Sequence, residues 1–382
     1  MGCILNINNN IDYINYLFNE ELGLIIESNP QETSEIISLF KNIVPITIIG
    51  KTISDNIIKI TYNSNIILDC TMTKLRGMWE STSSYIESKQ VFNNKANEEF
   101  ELYKTFYNIK YYIPESIKNN LLLFNNSNIP SDINKFKVGI LREEGSNGDN
   151  EMKSAFYHAG FDIYDITTND LNNNPRLLES FRGIVYVGGF SFSDVLGSAT
   201  GWYNVIKNNP NIISQINSFN SRKNTFSLGV CNGCQLMVLL GIIPNITKIK
   251  HNDSCRFESR FSTVKICKNN SIMLHNMQDL TMGIWIAHGE GKIDIENNIV
   301  MQYVDNNNNS TIKYPFNPNG STNGTAGICS DDGRHLALMP HPERCFLNWQ
   351  LPYMPNDYDS NNTYSPWFLM FKNAYNWCKS ID

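Results

Sequence analysis

The chain has 382 residues, long enough for two or three domains, and 41% of them are hydrophobic, which supplies ordinary cores and excludes wholesale disorder. Its net charge is −6, and no Lys/Arg cluster reaches the density of a nucleic-acid footprint, so no nucleic-acid partner is expected. Apolar runs such as Leu121 to Phe124 are far too short to span a membrane, and no basic segment followed by an apolar one opens the sequence.

Leu22 to Ser28 has a strand-like pattern, and Pro30 to Glu32 opens a helical pattern that runs to Lys41. Short β-branched runs follow at Ile46 to Ile49, Ile57 to Thr61 and Ile66 to Cys70. Thr71 to Ser88 has helical spacing, with Leu75, Met78, Trp79 and Tyr85 on overlapping faces. These residues, 1–93, read as a small α/β unit. Residues 94–135 are polar and rich in asparagine around Pro114 and Pro130, which predicts a linker.

From Phe136 the pattern changes. Lys137 to Leu141 is a buried-strand signature, followed by a helix from about Asn150 to Ala159. Strands are expected at Phe161 to Ile166, Gly183 to Val187 and Thr225 to Val230, with a helical region ending near Phe219. Strands alternating with helices predict an α/β fold with a doubly wound, mostly parallel sheet and flanking helices. Residues 258–340 are richer in strand patterns, and Pro366 to Lys379 reads as a closing helix.

Two residue types are unusual in number. There are 55 asparagines, gathered in tracts such as Asn8 to Asn10, Asn172 to Asn174 and Asn306 to Asn309. Asparagine tolerates turns, so the tracts mark loops; prion-like self-association is the competing expectation, against which stands the core patterning between them. Nine cysteines, an odd count without framework spacing, imply reduced thiols and a cytoplasmic setting. Met1-Gly2-Cys3 is similar to an acylation signal, but Asn6 stands where such a signal needs Ser or Thr.

The chemistry concentrates at Gly229-Val230-Cys231-Asn232-Gly233, between an apolar strand and the helical pattern Gln235 to Leu240. G-x-C-x-G is the thiol form of a nucleophile elbow, a tight strand-to-helix turn that lifts the sulfur above the carboxyl ends of the strands. The helix N-terminus beyond it favours a thiolate and directs amides at an oxyanion. Two other roles stay open. Cys231 and Cys234 form a CxxC, suited to redox chemistry or half a zinc site, and Cys231 also suits a buried structural thiol. No second CxxC or compact His pair supplies the rest of a zinc site, so no metal is expected. A nucleophilic Cys needs a base, and His341 in Met339-Pro340-His341-Pro342-Glu343-Arg344 follows an apolar strand, with Glu343 placed to orient its ring. A surface His beside a Glu is the alternative there.

With these residues in hand the chain resembles the class I glutamine amidotransferases, and more narrowly the C-terminal part of the large, single-chain phosphoribosylformylglycinamidine synthase family. The strings that carry the likeness are GVCNGCQ (229–235), MPHPER (339–344), KVGILREEGSNGDNEM (137–152), FRGIVYVGGFSFSDVLGSATGW (181–202), FESRFS (257–262), AHGEGKI (287–293) and NPNGSTNGTAGICSDDGR (317–334). FNEELGLIIE (18–27) and LRGMWESTS (75–83) extend it into residues 1–93, which resemble a partial C-terminal piece of a synthetase-like, ATP-family domain. The likeness implies a glutamine amidotransferase domain over 136–382 and a start inside a longer chain.

The resemblance further implies hydrolysis of L-glutamine by a Cys231, His341 and Glu343 triad. The oxyanion would be met by backbone amides at Gly189, Phe190 and Asn232. The released ammonia would serve ATP-dependent amidation of formylglycinamide ribonucleotide in purine biosynthesis. Gln235, Arg256 and His288 occupy motif positions that suit either substrate binding or structural hydrogen bonds. ATP and Mg2+ are implied for the full-length enzyme and no cofactor for this chain, whose partners would be the missing synthetase domains. The chain alone is expected to turn over glutamine poorly, since no phosphate-loop pattern appears in 1–135. A non-catalytic docking domain, and an α/β cysteine hydrolase acting on peptides, are the rival expectations. Two positions depart from the family pattern: Ser193 replaces a usual Gly, and Glu144 replaces a usual Gln. If position 193 has positive φ, strain of about 1 kcal/mol follows.

Overall fold

A computed structural model describes residues 1–105, 110–125, 136–355, 358 and 363–382. The chain forms two compact units, Met1–Lys89 with Phe100–Phe106, and Gln90–Glu99 with Tyr107–Asp382.

The smaller unit holds β1 (Gly2–Ile7), α1 (Tyr13–Leu17), α2 (Thr33–Phe40), β2 (Gly50–Ile53), β3 (Ile57–Tyr62), β4 (Asn65–Thr71) and α3 (Met72–Glu87). Its sheet has the order β2-β1-β3-β4, with only β1 and β3 parallel. Asn63 and Ser64, with φ of 47° and 67°, make the two-residue turn between β3 and β4, as a tight hairpin requires. Thr71 caps α3 by accepting the Lys74 amide at 3.3 Å. Two expected strands do not form. Leu22 to Ser28 lacks a partner strand and leaves Leu22, Leu24 and Ile25 exposed, while the strand anticipated at Ile46 to Ile49 begins only at Gly50. An apolar run is not a strand until another pairs with it. β1, hidden in an Asn-rich opening, was not anticipated.

The larger unit continues with most of α4 (Lys95–Phe100), then α5 (Glu115–Asn125), β5 (Lys137–Arg142), α6 (Asp149–Ala159), β6 (Asp162–Thr167), α7 (Thr168–Asn173), β7 (Gly183–Tyr186), α8 (Thr200–Lys207), α9 (Pro210–Ser221), β8 (Phe226–Val230) and α10 (Asn232–Leu239). The antiparallel strands β9 (Glu258–Ile266), β10 (Thr281–His288), β11 (Ile299–Tyr303) and β12 (Thr325–Cys329) follow, then β13 (His335–Leu338) and α11 (Phe368–Ser380).

The expected linker over 94–135 is therefore helical in part; residues 106–109 and 126–135 of it lie outside the described residues. Ile117 and Leu121, four positions apart on α5, are buried and join the core together with Ile113 just before the helix, a stripe that the asparagines around it obscure. Tyr112 also pairs with Thr281 of β10.

The nine strands of this unit run β10-β9-β11-β12-β13-β8-β7-β5-β6. The half from β13 to β6 is parallel and doubly wound, as expected; the other half is antiparallel, so the sheet as a whole is mixed. β7 and β8 are buried along their whole length, because helices cover a parallel sheet on both faces. Each fully buried aliphatic side chain there contributes about 1.5–3 kcal/mol. The chain order reverses direction between β5 and β7, and the loops that leave their carboxyl ends meet where Ser146 pairs with Gly189. Such a switch point opens a ligand crevice.

Candidate active site

Cys231 sits between β8 and α10 with φ 52° and ψ −107°, a conformation that a side chain adopts only under strain of about 1–3 kcal/mol. Hydrogen bonds hold it there. Its amide donates to Leu338 O at 2.8 Å, and its carbonyl accepts from the Gln235 amide at 3.1 Å. The flanking glycines are steric necessities: a Cβ at 233 would lie 1.9 Å from Tyr186 O, and one at 229 would lie 2.5 Å from Met237 Sδ. The thiol is almost buried and faces Ala287 O on β10 at 3.3 Å.

His341 follows β13, next along the sheet, and its amide donates to Trp285 O at 2.8 Å. Its Nδ1 meets Glu343 Oε1 at 2.6 Å, with both side chains buried. Burial opposes charge on the ring, but the Glu343 carboxylate and the neighbouring Cys231 sulfur outweigh it and raise the His341 pKa to about 9. Nε2 of this ring is buried without a hydrogen bond. Gly188 fills the space beside both groups: a Cβ there would stand 2.9 Å from His341 Cε1 and 3.5 Å from Cys231 Cβ.

Of the three anticipated oxyanion amides, two are available. Gly189 N–H finds no acceptor among the described residues, and Asn232 N–H opens α10, so it has no intrahelical partner. The Phe190 amide is not available, because it donates to Gly145 O at 2.9 Å. The bridge that brings the two loops together consumes it.

The other anticipated residues divide. Gln235 is buried beside the elbow, donating to Glu290 O at 2.5 Å and accepting from Asn232 Nδ2 at 3.1 Å. His288 ends β10 and is also buried, with Nδ1 3.2 Å from Asn252 Oδ1. Burial and the charge of His341 lower its pKa to about 3, so this ring is neutral. Arg256 lies 3.4 Å from Glu258, a structural ion pair. Ser193 has φ 55°, so the conditional strain at this position applies, while Glu144 is exposed and bonds through its backbone to Phe192. Asn252, Asp194 and Glu290 were missed, although the last two stand inside the FSFSDV and AHGEGKI strings. All nine cysteines are unpaired, and no group of three or more His, Cys, Asp or Glu among the described residues could hold a metal ion.

Residues 135–378 match the model of the CobB/CobQ-like glutamine amidotransferase domain. The chain belongs to this family. The amidotransferase fold is also that of a chain in the structure of PurLQS from Thermotoga maritima, 23% identical, with a TM-score of 0.50, covering 64% of this chain and 99% of that one. Relatives extend over both units. The probable phosphoribosylformylglycinamidine synthase, chloroplastic/mitochondrial, of Arabidopsis thaliana is 42% identical over 97% of this chain and 28% of its own length. The phosphoribosylformylglycinamidine synthase of Drosophila melanogaster is 39% identical over 95% of this chain and 28% of its own. The chain thus spans less than a third of the curated relatives it matches. Among the described residues no helix of this amidotransferase is long and apolar enough to cross a membrane.

Proposed function

We propose that the chain hydrolyses L-glutamine through a Cys231, His341 and Glu343 triad and supplies the ammonia for ATP-dependent amidation of formylglycinamide ribonucleotide, as part of a longer cytoplasmic synthase. The observation that carries this reading is the buried 2.6 Å pair of His341 with Glu343 set beside a strained thiol at the switch-point crevice.

Cys231 sulfur, as thiolate, attacks the side-chain amide carbon, and the carbonyl π electrons move to oxygen. The amides of Gly189 and Asn232 meet that oxyanion. His341, protonated at neutral pH, gives its proton to the leaving nitrogen as the C–N bond breaks, which releases ammonia and leaves a γ-glutamyl thioester. Water then attacks the same carbon. The now neutral ring takes its proton, the C–S bond breaks, and glutamate leaves. Glu343 holds the ring in orientation and stabilises its charge. Mg2+ and ATP belong to the synthetase chemistry; the described residues offer no metal-ligand cluster, and no step here runs through either.

A glutamine-mimicking diazoketone tests the assignment. Peptide mapping is expected to find one adduct, at Cys231, lost in Cys231→Ala. Labelling of Cys234 instead would favour redox chemistry, and cleavage of peptides in place of glutamine would favour a peptide hydrolase. In a chain that carries the synthetase domains, Cys231→Ala is expected to abolish glutamine use and keep ammonium-dependent turnover.

A further inference from the structure

His288 is a buried titratable ring that the proposed reaction does not use, and the bonds around Asn252 decide which of its nitrogens carries hydrogen. Asn252 is 1% exposed and lies in the loop before β9. Its backbone amide donates to Gly289 O at 3.0 Å. Its Nδ2 donates to His288 O at 2.7 Å and to Arg256 O at 3.0 Å, while its Oδ1 accepts the Gly291 amide at 3.0 Å. Carbonyl oxygens only accept and backbone amides only donate, so these three partners leave one orientation for the side chain. The atom that faces His288 Nδ1 at 3.2 Å is therefore the amide oxygen. An amide oxygen only accepts, so Nδ1 carries the hydrogen.

The other nitrogen completes the assignment. Nε2 of His288 is buried with no hydrogen-bond partner, in a ring that is 2% exposed. A hydrogen on Nε2 would be a buried donor without an acceptor, which is costly. A bare lone pair there costs less, and the ring is then neutral. The charged groups around it agree. His341 lies close enough for its charge to oppose a second one on His288. Glu258, opposite His288 in the β9 register, is taken up by Arg260 and Tyr314. Asp253 is taken up by Lys292, and Glu290 Oε1 accepts the Ser198 amide at 3.1 Å. None of these carboxylates offsets the effect of burial on the ring.

We infer that Asn252 is a positioning residue that fixes His288 as the uncharged Nδ1–H tautomer, so that the one proton shared out between the two neighbouring rings belongs to His341. The purpose of this arrangement rests on the proposed glutaminase reading; the tautomer does not. Asparagine suits the task because it supplies two donors and an acceptor without charge. Aspartate would keep the acceptor, lose both donors and place a negative charge against Nδ1.

The test uses the 382-residue chain with 15N-labelled histidine, the His288 signals being those lost in His288→Gln. Nitrogen–proton correlation spectra at neutral pH are expected to show hydrogen on Nδ1 and a bare Nε2. Hydrogen on Nε2, in a neutral or a charged ring, would overturn the inference, and this measurement needs no variant at position 252. Asn252→Asp should bring the His288 titration up toward the ordinary histidine range. Inactivation by the glutamine-mimicking diazoketone should then be slowed about tenfold near pH 6 and recover toward pH 8, as the ring loses its proton. An equal loss at every pH would mark Asn252 as merely structural and overturn its positioning role. Failure of the glutaminase reading looks different: the parent chain would show the Nδ1–H tautomer and yet leave Cys231 unmodified by the diazoketone.

Discussion

The two walls of the site carry buried histidines in opposite charge states. On the wall that follows β13, His341 sits against Glu343, and its pKa rises to about 9. On the wall that ends β10, His288 sits against a neutral Asn252, and its pKa falls to about 3. Burial is nearly the same for both, so burial alone decides nothing. The charged neighbours decide: the Glu343 carboxylate and the Cys231 sulfur raise His341, while the charge of His341 adds to burial in lowering His288. One fold thereby keeps a proton on one ring and off its neighbour, which is what assigning a proton donor requires.

The largest test of this contrast removes each ring in turn. His341→Asn is expected to lower thioester formation by at least about 10³-fold. His288→Gln, which keeps a polar group toward Asn252, should act mainly on stability, by about 1 kcal/mol. Single-turnover kinetics and denaturant melts would measure the two, and equal kinetic losses would break the contrast. Next in size, Glu343→Gln takes away the carboxylate that makes His341 unlike His288. Turnover should fall about 10²-fold, and the His341 ring, followed by NMR, should lose its proton well below pH 9. A ring that still titrates near 9 would mean that Glu343 is not the cause.

A smaller effect is expected in the pH dependence of stability. A histidine whose pKa is raised on folding stabilises fully below its unfolded value, near 6.5, and loses that contribution as pH climbs through about 9. His288 has the reverse sign: its contribution is present above about 6.5 and is lost as pH falls toward 3. The stability difference between the parent and His341→Asn should therefore shrink between pH 6.5 and 9, whereas that for His288→Gln should shrink on acidification. Smallest of all, Ser193→Gly relieves a positive φ and should stabilise by about 1 kcal/mol or less, read as a shift of the melting midpoint.

Much of the larger unit was legible because its signals are local. The parallel strands, the G-x-C-x-G turn and the His341–Glu343 pair each lie within a few consecutive residues. What escaped depends on pairing across the chain. Leu22 to Ser28 has strand composition but no partner, and α5 has a helical stripe that asparagines hide. Glu290 reaches Ser198 across 92 positions, a distance no periodicity reveals. The Phe190 amide looked free because nothing in the sequence announces the Gly145 carbonyl opposite it. The asparagine surplus is loop material only in part: Asn8 to Asn10 and Asn306 to Asn309 lie in loops, whereas Asn172 and Asn173 belong to α7. Nine of the 19 non-glycine residues with positive φ among those described are asparagine, the residue that enters that region most readily after glycine.

Gly188 gives the site a vulnerability of another kind. It contributes no side chain, yet the gap that it leaves against the His341 ring is as much a component of the machinery as the ring itself. A single methyl group added there would press on the His341 ring, standing 2.9 Å from Cε1, without touching the identity of any reacting atom. Inventories of functional groups overlook such a position, because its role is to keep a volume empty.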